Sequence, residues 1–165
     1  MVRYQSGASV VKLRTFPTAP PAVEKGTMAA NGIRLMTIYV RSMEALARQF
    51  TDAGFAAPQF NAPSSTPYRL AFINDPDGNR IELVAFGPEA KDDVFDRFQI
   101  GLTVSNAEKA REFYGKTLGL KERQAVMLPS VFAADTMEYF FEAGVSTIKF
   151  WAPKTERPTR RSRTA

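Results

Sequence analysis

Phe72-Ile73-Asn74-Asp75-Pro76-Asp77-Gly78-Asn79-Arg80-Ile81-Glu82-Leu83-Val84 joins a tight turn to a strand that aims one carboxylate. Asp75-Pro76 and Asp77-Gly78-Asn79 carry turn chemistry. Proline restricts φ, Gly and Asn tolerate positive φ, and Asp side chains bond to nearby backbone. From Arg80 to Phe86 the pattern has period two. Ile81, Leu83 and Ala85 share one face, and Arg80, Glu82, Val84 and Phe86 the other. Glu82 is therefore expected in mid-strand, opposite the aliphatic residues. A carboxylate there needs a metal, a cation or water to offset its lost hydration.

A second stretch belongs with the first. Phe98-Gln99-Ile100-Gly101-Leu102-Thr103-Val104 reads as a strand. Asn106-Ala107-Glu108-Lys109-Ala110-Arg111-Glu112-Phe113-Tyr114 reads as a helix, closed by Leu118-Gly119-Leu120. Turn and strand resemble the end of a module of the vicinal oxygen chelate superfamily. That superfamily includes glyoxalase I, extradiol dioxygenases, fosfomycin-modifying enzymes and bleomycin-binding (bleomycin resistance) proteins. The second stretch resembles the opening of another such module. The resemblance spans about residues 33 to 152. It implies an α+β fold of tandem βαβββ modules, whose curved mixed sheets form a cup or half-barrel with the helices outside.

The residues alone also divide the chain in this way. Ile33 to Val40 alternates as a strand. Ser42 then offers a helix cap, and Met43, Leu46, Ala47 and Phe50 recur at helical spacing before Gly54. Residues 58 to 67 read as a loop with three prolines, although the resemblance places a short strand near Gln59 to Asn61. Tyr68 to Ile73 and Arg80 to Phe86 complete a hairpin, so residues 33–88 form a first module. After the acidic linker Glu89 to Asp96, residues 97–152 repeat the order. Their strands are expected at 98–104, near Glu122 to Leu128, at Met137 to Glu142 and at Ser146 to Trp151, with a helix over about 106–117. Ser105 with Glu108 would form a capping box, and Ala107, Ala110, Phe113, Tyr114 and Leu118 a buried stripe. Aligning Val40 with Val104 sets the two halves 64 residues apart and matches Glu44 with Glu108. Gly7 to Leu13 also lines up with Gly144 to Phe150, 137 residues on, with Tyr4 on Phe141. Residues 1–17 then read as the orphan closing hairpin of a preceding module.

At 165 residues, 44% hydrophobic and 24% charged, the composition is that of an ordinary folded domain. No apolar run approaches the about 18 residues of a membrane span, and no signal core opens the chain, so it is read as cytoplasmic with no membrane partner. Without Cys there is no disulfide or thiolate chemistry, and without His no Ser-His-Asp set. Of the formal charge of +5, residues 154 to 165 carry Lys154, Arg157, Arg160, Arg161 and Arg163 against Glu156. The charge thus belongs mostly to a basic tail, residues 153–165, read as disordered, and a nucleic-acid partner is not expected.

Carried over residue by residue, the resemblance puts metal-ligand positions at Leu35 and Gln99 in the first strands and at Glu82 and Lys149 in the last. Gln99 and Glu82 can ligate; Leu35 cannot, and protonated Lys149 repels a metal. The expectation is therefore no cofactor, with Lys149 replacing the metal charge and pairing with Glu82. Lys12 holds the equivalent place in the N-terminal repeat, a rival for the same carboxylate. Tyr39, Phe86, Thr103 and Trp151 share the faces of these residues, with Arg80, Val84, Thr37 and Thr147. Tyr39, Glu82, Phe86, Gln99, Thr103, Lys149 and Trp151 are the candidate ligand-binding set, in an aromatic-lined cup for a small molecule. The alternative is a metal-dependent lyase, isomerase or dioxygenase using a divalent metal on Glu82 and Gln99, with Glu82 the leading catalytic candidate and the site completed by another chain or by missing modules. A homodimer or other self-association through strand or module pairing is the expected assembly.

Overall fold

The Asp75 turn forms because one carboxylate gathers three donors. Oδ1 accepts from the Asp77 and Asn79 amides at 3.0 and 2.7 Å, and Oδ2 from Asn79 Nδ2 at 2.8 Å. Gly78 closes the turn with φ 86°, where a side chain would be strained. The computed structural model describes residues 2–6, 8–15, 17–18, 26–62, 67–92, 95, 97–128 and 135–152. The basic tail expected at 153–165 lies outside them.

In chain order the strands are β1 (Val2–Ser6), β2 (Ser9–Leu13), β3 (Gly32–Val40), β4 (Tyr68–Asn74), β5 (Arg80–Phe86), β6 (Phe98–Thr103), β7 (Lys121–Leu128), β8 (Thr136–Ala143) and β9 (Ser146–Trp151). Helix α1 is Met43–Asp52. Helix α2, Ala107–Arg111, continues into a π-helical segment, Glu112–Thr117. Seven strands build one open mixed sheet in the order β4-β5-β3-β6-β9-β8-β7, and β1-β2 stands as a separate hairpin. The first strands of the two halves join them. β3 pairs antiparallel with β6, while β5 and β9 each lie parallel to their own first strand. Met36 pairs with Ile100, its counterpart in the 64-residue repeat, so a local two-fold axis passes through that pair. In place of a short strand near Gln59 to Asn61 there is a single bridge, Asn61 to Leu70. The proline-rich approach withholds the amides that a longer ladder requires.

Both helices pack on one face of the sheet. Under α1, the buried Val40, Ala71, Leu83 and Ala85 meet Met43, Leu46 and four other partly buried residues. Complete burial of a side chain such as Leu83 stabilises by roughly 1.5–3 kcal/mol. Ser42 caps α1, its Oγ accepting from the Ala45 amide at 3.1 Å. The capping box expected at Ser105 is replaced by Asn106, whose Oδ1 accepts from the Lys109 amide at 2.9 Å. Asn106 is the counterpart of Ser42 in the repeat, and Asn caps as well as Ser.

The expected stripe on the second helix also needs correction. Beyond Arg111 the Leu118 amide reaches the Phe113 carbonyl, five residues back, at 2.9 Å. The wider turn changes which side chains face the sheet. Tyr114 packs on Phe141 and Phe150 at 5.9 and 5.7 Å, whereas Phe113 and Leu118 are 49% and 51% exposed. No helix of the described residues is long and apolar enough to cross a membrane.

The N-terminal hairpin has the register of the last one. Arg3↔Lys12, Tyr4↔Val11, Gln5↔Val10 and Ser6↔Ser9 match Phe140↔Lys149, Phe141↔Ile148, Glu142↔Thr147 and Ala143↔Ser146 position for position. The counterparts Ser9 and Ser146, 137 residues apart, also touch, with their hydroxyls at 3.3 Å.

Candidate functional site

On the sheet face away from the helices, β5 carries Glu82, its β3 neighbour is Thr37, and β9 carries Lys149. Lys149 Nζ lies 2.6 Å from Glu82 Oε2 and 3.3 Å from Glu138 Oε1, and all three side chains are buried. Thr37 Oγ1 donates to the same Glu82 oxygen at 2.7 Å. Burial by itself would lower the Lys149 ammonium. The two carboxylates outweigh it and hold the pKa above the ordinary lysine range. Burial pushes the Glu138 carboxyl up, against the pull of Lys149 and with the repulsion of Glu82.

Lys12, the rival cation, does not take this place: it is exposed on the hairpin and lines a different cavity. Glu138 escaped the sequence analysis. Its signal lay in counting back from the Gly144 turn, which sets Glu138 opposite Trp151 and diagonal to Lys149.

The remaining candidate residues fall into two groups. Near the end of β3, Tyr39 stacks on Phe86 at 5.7 Å, Tyr68 meets Phe86 edge-on at 5.9 Å, and Gln99 Nε2 donates a short hydrogen bond to the Tyr39 hydroxyl. These three rings are half-buried, and burial raises the pKa of both tyrosines. Tyr68 was not anticipated. It alternates with Leu70 and Phe72 on the same face, a signal the sequence carried. Four residues along β6, Thr103 accepts from Trp151 Nε1 at 2.7 Å and donates to the Thr27 carbonyl at 2.6 Å. Trp151 is fully buried and covers Gly101, where a Cβ would stand 2.6 Å from its Cη2. The indole fills that part of the face.

The donor set at the centre opposes a divalent ion. Lys149 offers only donors, Gln99 turns its amide nitrogen toward Tyr39, and Leu35 has no lone pair. Among the described residues no group of three or more Asp, Glu, His or Cys is placed to share a metal. Divalent sites of this kind use three or four acceptors, so these residues do not fit the ion, and no step is routed through one.

No known protein-family profile matches the sequence, and no curated protein sequence is similar to it. Solved structures are similar in fold. Methylmalonyl-CoA epimerase from Mycobacterium tuberculosis matches with TM-score 0.53 and 16% identity over 79% of this chain and 92% of that one. A glyoxalase I mutant from Zea mays matches with TM-score 0.59 and 20% identity over 81% of this chain and 47% of that one. A hypothetical protein from Bacillus halodurans matches with TM-score 0.54 and 16% identity, covering 78% and 99%. The chain thus spans about half the length of the maize enzyme. The chain has the vicinal oxygen chelate fold: an α+β arrangement of related halves joined through their first strands, helices on one face.

Proposed function

We propose that this chain is a small-molecule-binding protein in which Lys149 stands where relatives of the fold hold a metal ion. The observation that carries the reading is the Lys149 ammonium seated between Glu82 and Glu138 at 2.6 and 3.3 Å. A divalent cation would have to displace a buried, doubly paired ammonium. The half-buried Tyr39, Phe86 and Tyr68 supply an aromatic wall beside this charge network, with Gln99 as a polar contact. Residues 33–88 and 97–152 act as the two modules of this unit, and residues 1–17 as the closing hairpin of another. Self-association belongs to the same reading, because among the described residues β2 pairs only with β1, and Tyr4, Val10 and Leu13 are exposed.

Calorimetric titration of the purified chain with Mn²⁺, Ni²⁺ and Zn²⁺ tests the central claim. The expected result is no stoichiometric uptake. Stoichiometric binding that disappears in Glu82→Gln overturns it in favour of a metal-dependent lyase, isomerase or dioxygenase.

A further inference from the structure

At the other end of this face, where β3 begins, three segments together with Gly26 and Ile81 line an open cavity of about 570 Å³. The segments are Val11–Leu13 of the hairpin, Ile33–Met36 of β3 and the Asn74–Arg80 turn region. The charged residues lining it are Lys12, Arg34, Arg80 and Asp75. Asp75 keeps its charge, with both oxygens engaged by turn residues, so the lining sets three cations against one anion. Arg34 is anchored through Nη2 to the Gly26 carbonyl at 2.9 Å. The Arg80 guanidinium lies 4.7 Å from the centre of the Phe72 ring, which fixes its plane. Among the described residues its buried Nε has no hydrogen-bond acceptor, and neither Arg80 nor Lys12 has an ion-pair partner. Leu13 and Ile33, also in the lining, are 53% and 69% exposed.

We propose that this cavity binds a small amphipathic anion, a carboxylate or phosphate monoester carried on an apolar body. Lys12, Arg34 and Arg80 line the cavity together, and an oxyanion meets their positive charge in the planar geometry that arginine favours. The apolar lining then covers the hydrocarbon part, as ligand cavities require. A neutral carboxamide of the same shape can still accept a hydrogen bond but brings no charge to meet the three cations. The inference rests on the small-molecule reading but on different side chains from those of the Lys149 network.

Calorimetry with octanoate, octyl phosphate and octanamide tests it, each titrated into the full chain. One or both anions bind at one per chain, about tenfold or more tighter than octanamide, and the stronger anion identifies the headgroup. Arg80→Gln removes about that margin, and Lys12→Gln weakens anion binding severalfold. Lys12 is exposed on the hairpin, so its variant decides the matter if Arg80→Gln does not fold. Equal binding of octanamide and the anions, no saturable anion binding, or anion affinity unchanged in the folded variants overturns the proposal. The two readings fail separately: stoichiometric Mn²⁺ uptake sinks the metal-free reading and leaves the anion result standing.

Discussion

The Lys149 ammonium on β9 and the Glu82 carboxylate on β5 meet at 2.6 Å although two strands, β3 and β6, lie between them. Three strand spacings amount to about 14 Å, so both side chains must reach toward each other along the sheet face. Neither carboxylate partner of Lys149 is replaceable by solvent, because all three groups are buried.

Lys149→Met should therefore destabilise the chain by about 3–5 kcal/mol, since two carboxylates lose their cation while remaining buried. Urea unfolding measures it. Adding Glu82→Gln and Glu138→Gln to that variant should recover much of the loss, and a single Lys149→Met variant as stable as the parent would remove the network from the account of the fold.

Thr37→Val keeps the shape of the side chain but withdraws the donor 2.7 Å from Glu82. A cost of about 1.5–3 kcal/mol is expected for losing a hydrogen bond to a charged group. A change of a few tenths would mean that Lys149 satisfies Glu82 alone.

Gly101→Ala places a methyl group 2.6 Å from Trp151 Cη2 and 2.9 Å from Leu35 Cβ. The indole must shift, with an expected cost of about 1–3 kcal/mol. Because the chain has one Trp, its fluorescence reports the movement directly. An unchanged emission maximum together with unchanged stability would contradict the packing described.

The pH dependence has a definite sign. Burial raises the Glu138 carboxyl above its ordinary value of 4.5, so its contribution to stability is complete below that pH and is lost as pH rises through the folded value. The stability of the parent relative to Glu138→Gln should fall over that window in thermal melts, and a flat difference would show that the carboxyl is not shifted. Lys149 is raised too. Its contribution is present below its ordinary value of 10.5 and is lost as pH rises through its folded value.

The π-helical segment shows where sequence periodicity stops being a guide. Spacing alone puts Phe113, Tyr114 and Leu118 in the core, but the wider turns over Glu112–Thr117 leave Phe113 and Leu118 half exposed while Tyr114 reaches Phe141 and Phe150. Local patterning assumes a regular helix, and it was the approach of Gly115 to Phe141, 3.3 Å from where a Cβ would stand, that only the packed sheet could reveal.

By itself the sequence determined the Asp75 turn, the alternation that puts Glu82 opposite the aliphatic face, and the repeat that makes β3 and β6 counterparts, because turn chemistry and side-chain period are local properties. Only the tertiary structure decided that Glu138 shares the Lys149 ammonium, that Trp151 fills the space over Gly101, and that Lys12 lines a separate cavity with Arg34 and Arg80. Those outcomes depend on which strands become neighbours and how far each side chain reaches across them, distances that no stretch of chain carries on its own.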